Sequence, residues 1–249
     1  MKPRVLILRS AGTNCDGETQ TAFETVGAQV DRVHLNRVIE NPSIMNDYQL
    51  LAVPGGFSYG DDIAAGRIFA NQLMLRLEGA LHAFVEQKKP VIGICNGFQI
   101  LVKTDILPGK LADKTGQTCT LTENDCRHFV DHWIKLERKS NKCIWTKNIT
   151  QIELPIAHGE GKFLCASDAV RKALWDNDQV ALTYVGENPN GSTDAIAGIC
   201  DASGLVFGLM PHPERHISPL QHYAWQSREK QPEEGDGLRI FRNAVTYVE

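Results

Sequence analysis

The sequence is poor in the features that mark several function classes. Aromatic residues are 7% of the chain, too few for a stacking platform that binds nucleic acid. Neither sign of charge dominates: 26 basic residues face 30 acidic ones, and the net charge is −4. No basic patch for DNA or for an anionic membrane is in evidence. No apolar run approaches the 18 residues of a membrane span. The N-terminus is basic and then apolar, but only four apolar residues, Val5 to Leu8, precede Arg9. That is too short for a secretory signal and fits a buried first strand. The seven cysteines include no C-x-x-C pair. With no export signal, a cytoplasmic location and free thiols are expected. Cys119 and Cys126 with His128 and His132 leave zinc conceivable, at a spacing that is not a standard one. No metal is expected.

What is present is an alternation. Strands are expected at Val5–Leu8, Val30–Leu35, Leu50–Val53 and Val91–Ile94. Helices are expected at Gly17–Val26 (with Asp16 as a candidate cap), within Ile63–Glu86, and at Gly97–Thr104. Strands alternating with helices predict an α/β fold, an open, doubly wound, mostly parallel sheet with helices on both faces. The second half is richer in short strand candidates: Cys119–Leu121, His132–Leu136, Ile152–Ile156, Val180–Val185, Ala195–Ile199 and Leu205–Leu209. Helical signal returns at Ala169–Trp175 and Leu238–Val248, and Gln226–Gly237 reads as an exposed loop. No composition break marks a linker. A single domain over 1–249, with β-rich additions, is the expectation.

The sharpest local feature is Val91-Ile92-Gly93-Ile94-Cys95-Asn96-Gly97-Phe98-Gln99. An apolar strand runs into a cysteine with glycines at −2 and +2, and a helix follows. This is the G-x-nucleophile-x-G elbow with sulfur in place of a hydroxyl. The tight turn crowds the backbone, and the glycines relieve it. The helix N-terminus favours the thiolate. Taken alone, a cysteine is more often a small buried residue; the glycine spacing at a strand end reverses those odds. Gln99, one helical turn on, lies on the same face and is a candidate to grip substrate, although taken alone a solvent-facing or capping glutamine is the better reading.

A cysteine nucleophile needs a base. Among eight histidines, His212 stands out in Met210-Pro211-His212-Pro213-Glu214, just past the apolar run Leu205–Leu209. Glu214 is two residues on, and in an extended segment points the same way. Cys95, His212 and Glu214 then follow triad logic, with Cys95 as nucleophile, His212 as acid and base, and Glu214 orienting it. In Val53-Pro54-Gly55-Gly56-Phe57 a third strand ends in two glycines. Backbone N–H groups of Gly56 and Asn96 are candidate oxyanion donors, with Gly55 and Gln99 as further candidates to line the substrate site. A glycine-rich turn without a ligand is the plainer reading. The loop has no lysine of a nucleotide-binding loop.

The elbow and the Pro211-His212-Pro213-Glu214 segment resemble the class I (triad) glutamine amidotransferases. More narrowly, the sequence is similar to the glutaminase subunits of phosphoribosylformylglycinamidine synthase. That likeness rests on Gly12-Thr13-Asn14-Cys15-Asp16, Gly55-Gly56-Phe57-Ser58-Tyr59-Gly60-Asp61, Gly66-Arg67-Ile68, Leu107-Pro108-Gly109, His158-Gly159-Glu160-Gly161-Lys162-Phe163, Asn188-Pro189-Asn190-Gly191-Ser192 and Met210-Pro211-His212-Pro213-Glu214-Arg215. The resemblance implies a flavodoxin-like fold and hydrolysis of glutamine to glutamate and ammonia. It implies that Cys15 belongs to a family motif without being the nucleophile. It also implies a separate synthetase subunit, binding ATP and magnesium, that uses the ammonia to make formylglycinamidine ribonucleotide for purines. Whether a small bridging subunit joins them stays open. The motifs span nearly all 249 residues, so no cofactor is expected on this chain. The competing readings are a glutaminase subunit of another amidotransferase, a stand-alone cysteine hydrolase, or a non-catalytic module. Related hydrolases take a histidine directly after the nucleophile, where Asn96 stands here. Ser218–Gly237 is longer than the family pattern and is given no role.

Overall fold

The computed structural model describes residues 2–111, 116–227 and 232–249. Its elements, in chain order, are β1 Arg4–Arg9, α1 Asp16–Thr25, β2 Gln29–His34, α2 Leu35–Glu40, β3 Leu50–Val53, α3 Arg67–Glu86, β4 Val91–Ile94 and α4 Asn96–Lys103. They continue as β5 Cys119–Thr122, β6 Val130–Arg138, β7 Gln151–His158, β8 Lys162–Cys165, α5 Asp168–Asp176, β9 Val180–Val185, β10 Ile196–Cys200, β11 Val206–Leu209 and α6 Leu238–Val248. The expected alternation is borne out, with α2 and β8 added to it.

Nine strands form one mixed sheet in the order β2-β1-β3-β4-β11-β10-β9-β6-β7. The first five are mutually parallel, and the rest pair antiparallel. The β-rich part of the sequence thus extends the parallel sheet. Among the described residues, only β5 and β8 pair apart from it. Val5–Leu8 are fully buried because helices cover the parallel half on both faces. The chain leaves β1 to one side for β2 and returns on the other side for β3. Right-handed crossovers therefore put α1 on one face and α3 on the other. On the first face α1 packs on α6, where Phe23 and Phe241 meet edge to face at 4.9 Å. On the second, α3 and α4 pack together. Burial of each such large apolar side chain contributes roughly 1.5–3 kcal/mol.

Asp16 does not cap α1. The helix starts at Asp16 itself and Cys15 stands at the cap position. The Asp16 carboxylate instead meets Arg9 and Arg32, each at 3.4 Å, across the ends of β1 and β2. Gln226–Gly237 is only partly an exposed loop, and 228–231 lie outside the described residues. Gly235 and Gly237 are buried, and Asp236 accepts the Glu153 N–H at 2.9 Å. The end of this segment is thus tied back to β7.

The reversal of strand order between β1 and β3 matters for function. In open α/β sheets such a switch point opens a crevice at the carboxyl ends of the strands. In-register pairing of β3 with β4 and of β4 with β11 brings their ends level. The loops after β1, β3, β4 and β11 therefore meet at one edge.

Candidate active site

Each of those four strand ends carries one part of the site. Cys95 follows β4 with φ 50° and ψ −106°, a strained conformation for a residue with a side chain. Such strain persists only where the surroundings hold it. The glycines show how: a Cβ on Gly97 would stand 1.8 Å from the Val53 carbonyl oxygen, and one on Gly93 would stand 2.6 Å from that of Gly97. The turn can be this tight only with glycine at both places. Cys95 is 6% exposed, and its thiol lies 3.8 Å from the Ala157 carbonyl oxygen.

His212, past β11, and Glu214 are both buried. The His212 backbone N–H donates to the Pro155 carbonyl at 2.9 Å, which holds the turn on β7. Nδ1 and the Glu214 Oε1 lie 2.7 Å apart. His212 Nε2 and Glu214 Oε2 are buried with no hydrogen-bond partner among the described residues. Burial disfavours the imidazolium. The Glu214 carboxylate and the thiols of Cys95 and Cys15 together outweigh it, and the His212 pKa ends well above its ordinary value. His212, Cys95 and Cys15 converge on Gly55 of the β3 loop. A Cβ there would stand 2.9 Å from His212 Cε1, 3.2 Å from Cys15 Sγ and 3.5 Å from Cys95 Cβ.

Beside Cys95 lies a cleft of about 200 Å³. Gly56, Phe57, Asp61, Gln99, Ala157, His158 and Glu160 are among its lining residues. It is of a size for an amino-acid side chain, below the range of larger organic ligands. Phe57 and Phe129, both about half exposed, face each other at 6.4 Å. Asn96 begins α4, so its backbone N–H has no acceptor within the helix.

The polar side chains around the cleft are bonded to one another. Asn96 Oδ1 accepts from the Ser58 hydroxyl at 2.6 Å, and its Nδ2 donates to Asp61 Oδ1 at 3.1 Å and to Gln99 Oε1 at 2.9 Å. Gln99 Nε2 donates to the Glu160 carbonyl at 2.6 Å. The Gln99 amide is thus engaged on both atoms. Asp61 Oδ1 also accepts the Gly66 N–H at 3.0 Å. Burial raises the Asp61 pKa, against the lowering by Gly66 and Asn96. These bonds tie the Gly55–Asp61 loop and Gly66 to the elbow.

A second network holds the far wall. Asn124 Oδ1 accepts the Gly161 N–H at 2.9 Å and lies 3.2 Å from His158 Nδ1. Asn190 Nδ2 donates to the Gly161 carbonyl at 2.8 Å, and Ser192 Oγ donates to Asn190 Oδ1 at 2.7 Å. Burial, with His212 nearby, pushes the His158 pKa down to about 4.

The sequence-predicted residues Cys95, His212, Glu214, Gly55, Gly56, Asn96 and Gln99 lie together at this edge. Sequence reasoning misses Cys15 as a neighbour of His212, although the motif that contains it is visible in the sequence. The zinc-like set does not assemble. Cys119 faces Cys165 across the β5–β8 pair, His128 bonds the Cys126 carbonyl, and His132 pairs with Glu187 at 2.8 Å. Among the described residues, Cys15, His212 and Glu214 form a group of potential ligands, their ligand atoms within 4.8 Å of one another.

Fold and site define a glutamine amidotransferase domain, and the profile of the CobB/CobQ-like glutamine amidotransferase domain matches residues 2–248. The subunit PurQ of phosphoribosylformylglycinamidine synthase from Dehalococcoides mccartyi is 46% identical, over 99% of this chain and 98% of its own length. Its counterpart from Treponema denticola is 41% identical over the whole of both chains. In the structure of PurLQS from Thermotoga maritima, a chain 32% identical superposes with a TM-score of 0.77 over the full length of both. The chain belongs to the PurQ family, the glutamine amidotransferase (glutaminase) subunits of phosphoribosylformylglycinamidine synthase.

Proposed function

We propose that the chain is one glutamine amidotransferase domain over 1–249. In this reading it hydrolyses glutamine at Cys95 and passes ammonia to a synthetase subunit. The observation that carries the reading is a strained, nearly buried thiol at a strand-to-helix turn beside a buried His212–Glu214 pair. Cys95 Sγ attacks the carboxamide carbon of glutamine. Backbone N–H groups of Gly56 and Asn96 stabilise the oxyanion. As the C–N bond breaks, His212 gives its proton to the departing ammonia, and a raised pKa suits it to carry that proton. His212 then takes a proton from water, which attacks the thioester and releases glutamate. Glu214 holds the imidazole in the productive tautomer and balances its charge. Asn96 and Gln99 act through their mutual bond, holding the Ser58–Asp61 loop against the elbow.

Support for the partners comes from the Thermotoga maritima assembly. By that analogy the chain works in the cytoplasm with a synthetase subunit and a small subunit. ATP and magnesium belong to the synthetase, and formylglycinamidine ribonucleotide for purine biosynthesis is its product. Among the described residues, no helix is long and apolar enough to cross a membrane. The test is a glutaminase assay with and without the synthetase, wild type against Cys95→Ala. The expected result is slow hydrolysis alone, acceleration in the complex, none in the variant, and product formation by the variant complex on added ammonium. Glutamine hydrolysis retained by Cys95→Ala would overturn the assignment. Equal wild-type rates with and without the synthetase would point to a stand-alone hydrolase.

A further inference from the structure

Glutamine hydrolysis uses neither Cys119 nor Cys165, yet the fold sets them face to face. They are partners in the register of the β5–β8 pair. One step outward, the Ala166 N–H donates to the Thr118 carbonyl at 2.9 Å. Hydrogen-bonded and non-hydrogen-bonded pairs alternate along an antiparallel ladder, so Cys119 and Cys165 form a non-hydrogen-bonded pair. The Cys119 carbonyl accordingly accepts from the Gln117 side chain, at 2.8 Å. Such pairs hold their Cα atoms about 4.5 Å apart, inside the span of roughly 4.4–6.8 Å that a disulfide bridges. The two thiols are hydrogen-bonded to each other.

The two sulfurs are unequal. Cys119 is buried, whereas Cys165 is partly open to solvent. The bond from Cys119, with Arg171 nearby, lowers the Cys165 pKa against burial and Asp194. The same contact, with burial, raises that of Cys119. A thiol that solvent reaches, held toward its thiolate beside a second thiol, is the arrangement of a cysteine that reacts with peroxide and is then resolved. Cys143 and Cys200 also share a hydrogen bond, but both are buried in the core, out of an oxidant's reach.

We propose that Cys165 and Cys119 are a peroxide-oxidisable dithiol that closes into a disulfide across β5 and β8 and staples the far wall of the cleft. The Cys165 thiolate attacks one peroxide oxygen, the O–O bond breaks, and hydroxide leaves, to become water with the proton Cys165 gave up. Cys119 Sγ attacks the sulfenic sulfur so formed, the S–O bond breaks, and the oxygen departs as water with the Cys119 proton. Two thiols and one hydrogen peroxide give one disulfide and two waters. The pair stands at one end of the two-stranded ribbon, and the wall stands at the other. β5 runs on to Asn124, β8 begins just after Gly161, and Asn124 Oδ1 accepts the Gly161 N–H at 2.9 Å. A ribbon of two strands is weak on its own. The disulfide closes a loop from Cys119 to Cys165 that contains Asn124, His158 and Glu160, and it does so in native register. It therefore stiffens the wall without displacing it. Neither step depends on Cys95 being the nucleophile.

The test takes the full wild-type chain in reduced form, treats it with hydrogen peroxide, alkylates it with iodoacetamide and digests it with trypsin. Cleavage puts the two cysteines on separate peptides, 115–127 and 163–171. The expected product is those peptides joined, two hydrogens lighter than the reduced pair. Fragmentation should place the link on Cys119 and show Cys126 alkylated, and dithiothreitol should abolish the product. In Cys119→Ser, dimedone should trap Cys165 as its sulfenic acid. Urea unfolding is read in Cys95→Ala, which has no catalytic thiol to oxidise. Its midpoint should rise by about 1 M on peroxide treatment and return on reduction. The rise should be absent when Cys165→Ser is added. Cys119 and Cys165 both found alkylated after peroxide, or Cys165 linked to any other cysteine, would overturn the dithiol. A Cys119–Cys165 link with an unchanged or lowered urea midpoint would overturn the stapling of the wall.

Discussion

The parallel and antiparallel halves of the sheet contribute to the site in different ways. The parallel half places the reactive groups by geometry alone. Cys15, Gly55, Cys95 and His212 each follow a parallel strand, and level strand ends bring them together. The antiparallel half carries the opposite wall, from Ala157 to Glu160, and holds it with buried side-chain hydrogen bonds among Asn124, His158, Asn190 and Ser192. One half is stiff because backbone is packed against backbone. The other is stiff because polar side chains satisfy each other in a dry place, where a lost partner is expensive.

The largest effects should come from breaking the parallel half's chemistry. Cys95→Ala should lower glutaminase turnover in the complex by about 10⁴-fold or more, as loss of a nucleophile does, while ammonium-driven synthesis continues. Glu214→Gln keeps the shape and removes the charge behind His212. Turnover should fall by roughly 10²–10⁴-fold with a smaller change in KM, because tautomer and proton delivery are impaired. Steady-state glutaminase kinetics on the reconstituted complex read both. A Glu214→Gln variant with wild-type turnover would remove Glu214 from the mechanism.

Next in size is the backbone packing that makes the elbow possible. Gly97→Ala forces a methyl group into the Val53 carbonyl and should cost about 3 kcal/mol or more. Gly79→Ala on α3 is the control. A Cβ there meets nothing within 4 Å, so the change should stabilise by roughly 0.5–1 kcal/mol through helix propensity. Urea unfolding of the two variants checks the sign of each. Similar effects at the two positions would mean that the elbow is not held by the close contact of α4 with β3.

The two halves also differ in how far they could be read from sequence. The elbow and the His-Pro-Glu segment are contiguous, so glycines at ±2 and a carboxylate at +2 showed themselves without any knowledge of the fold. The proximity of Cys15 to His212 did not, because it depends on strand order and spans 197 positions of chain. Nor did the use of Asn190 and Ser192, whose partners Gly161 and Phe163 lie about thirty residues away. The short strand β8, Lys162–Cys165, pairs only with β5, and its four residues carry no alternation that a strand reading could seize. Asp16 departs from its expected capping role for a related reason. Capping is a local preference, and two arginines from neighbouring strands outcompeted it. Local chemistry was legible, and chemistry assembled by topology was not.

The last prediction separates the halves by pH. His158 lies in the antiparallel wall with its pKa pushed down from 6.5 to about 4. The unfolded chain therefore binds more protons between those values, and stability must fall as pH drops from about 6.5 to about 4. A shift of that size corresponds to ~3 kcal/mol at its limit. His212 behaves in the opposite sense. Its pKa is raised, so its contribution is complete below the unfolded value and is lost as pH rises through the folded one. Urea midpoints at pH 7 and pH 4.5 should show a drop for wild type that is smaller in His158→Gln, and midpoints carried into the alkaline range should show that His212→Gln keeps the acid drop and loses the alkaline one. Equal acid drops in wild type and His158→Gln would mean that this wall tolerates a charged imidazole, and that its rigidity comes from the asparagine bonds without the neutral ring.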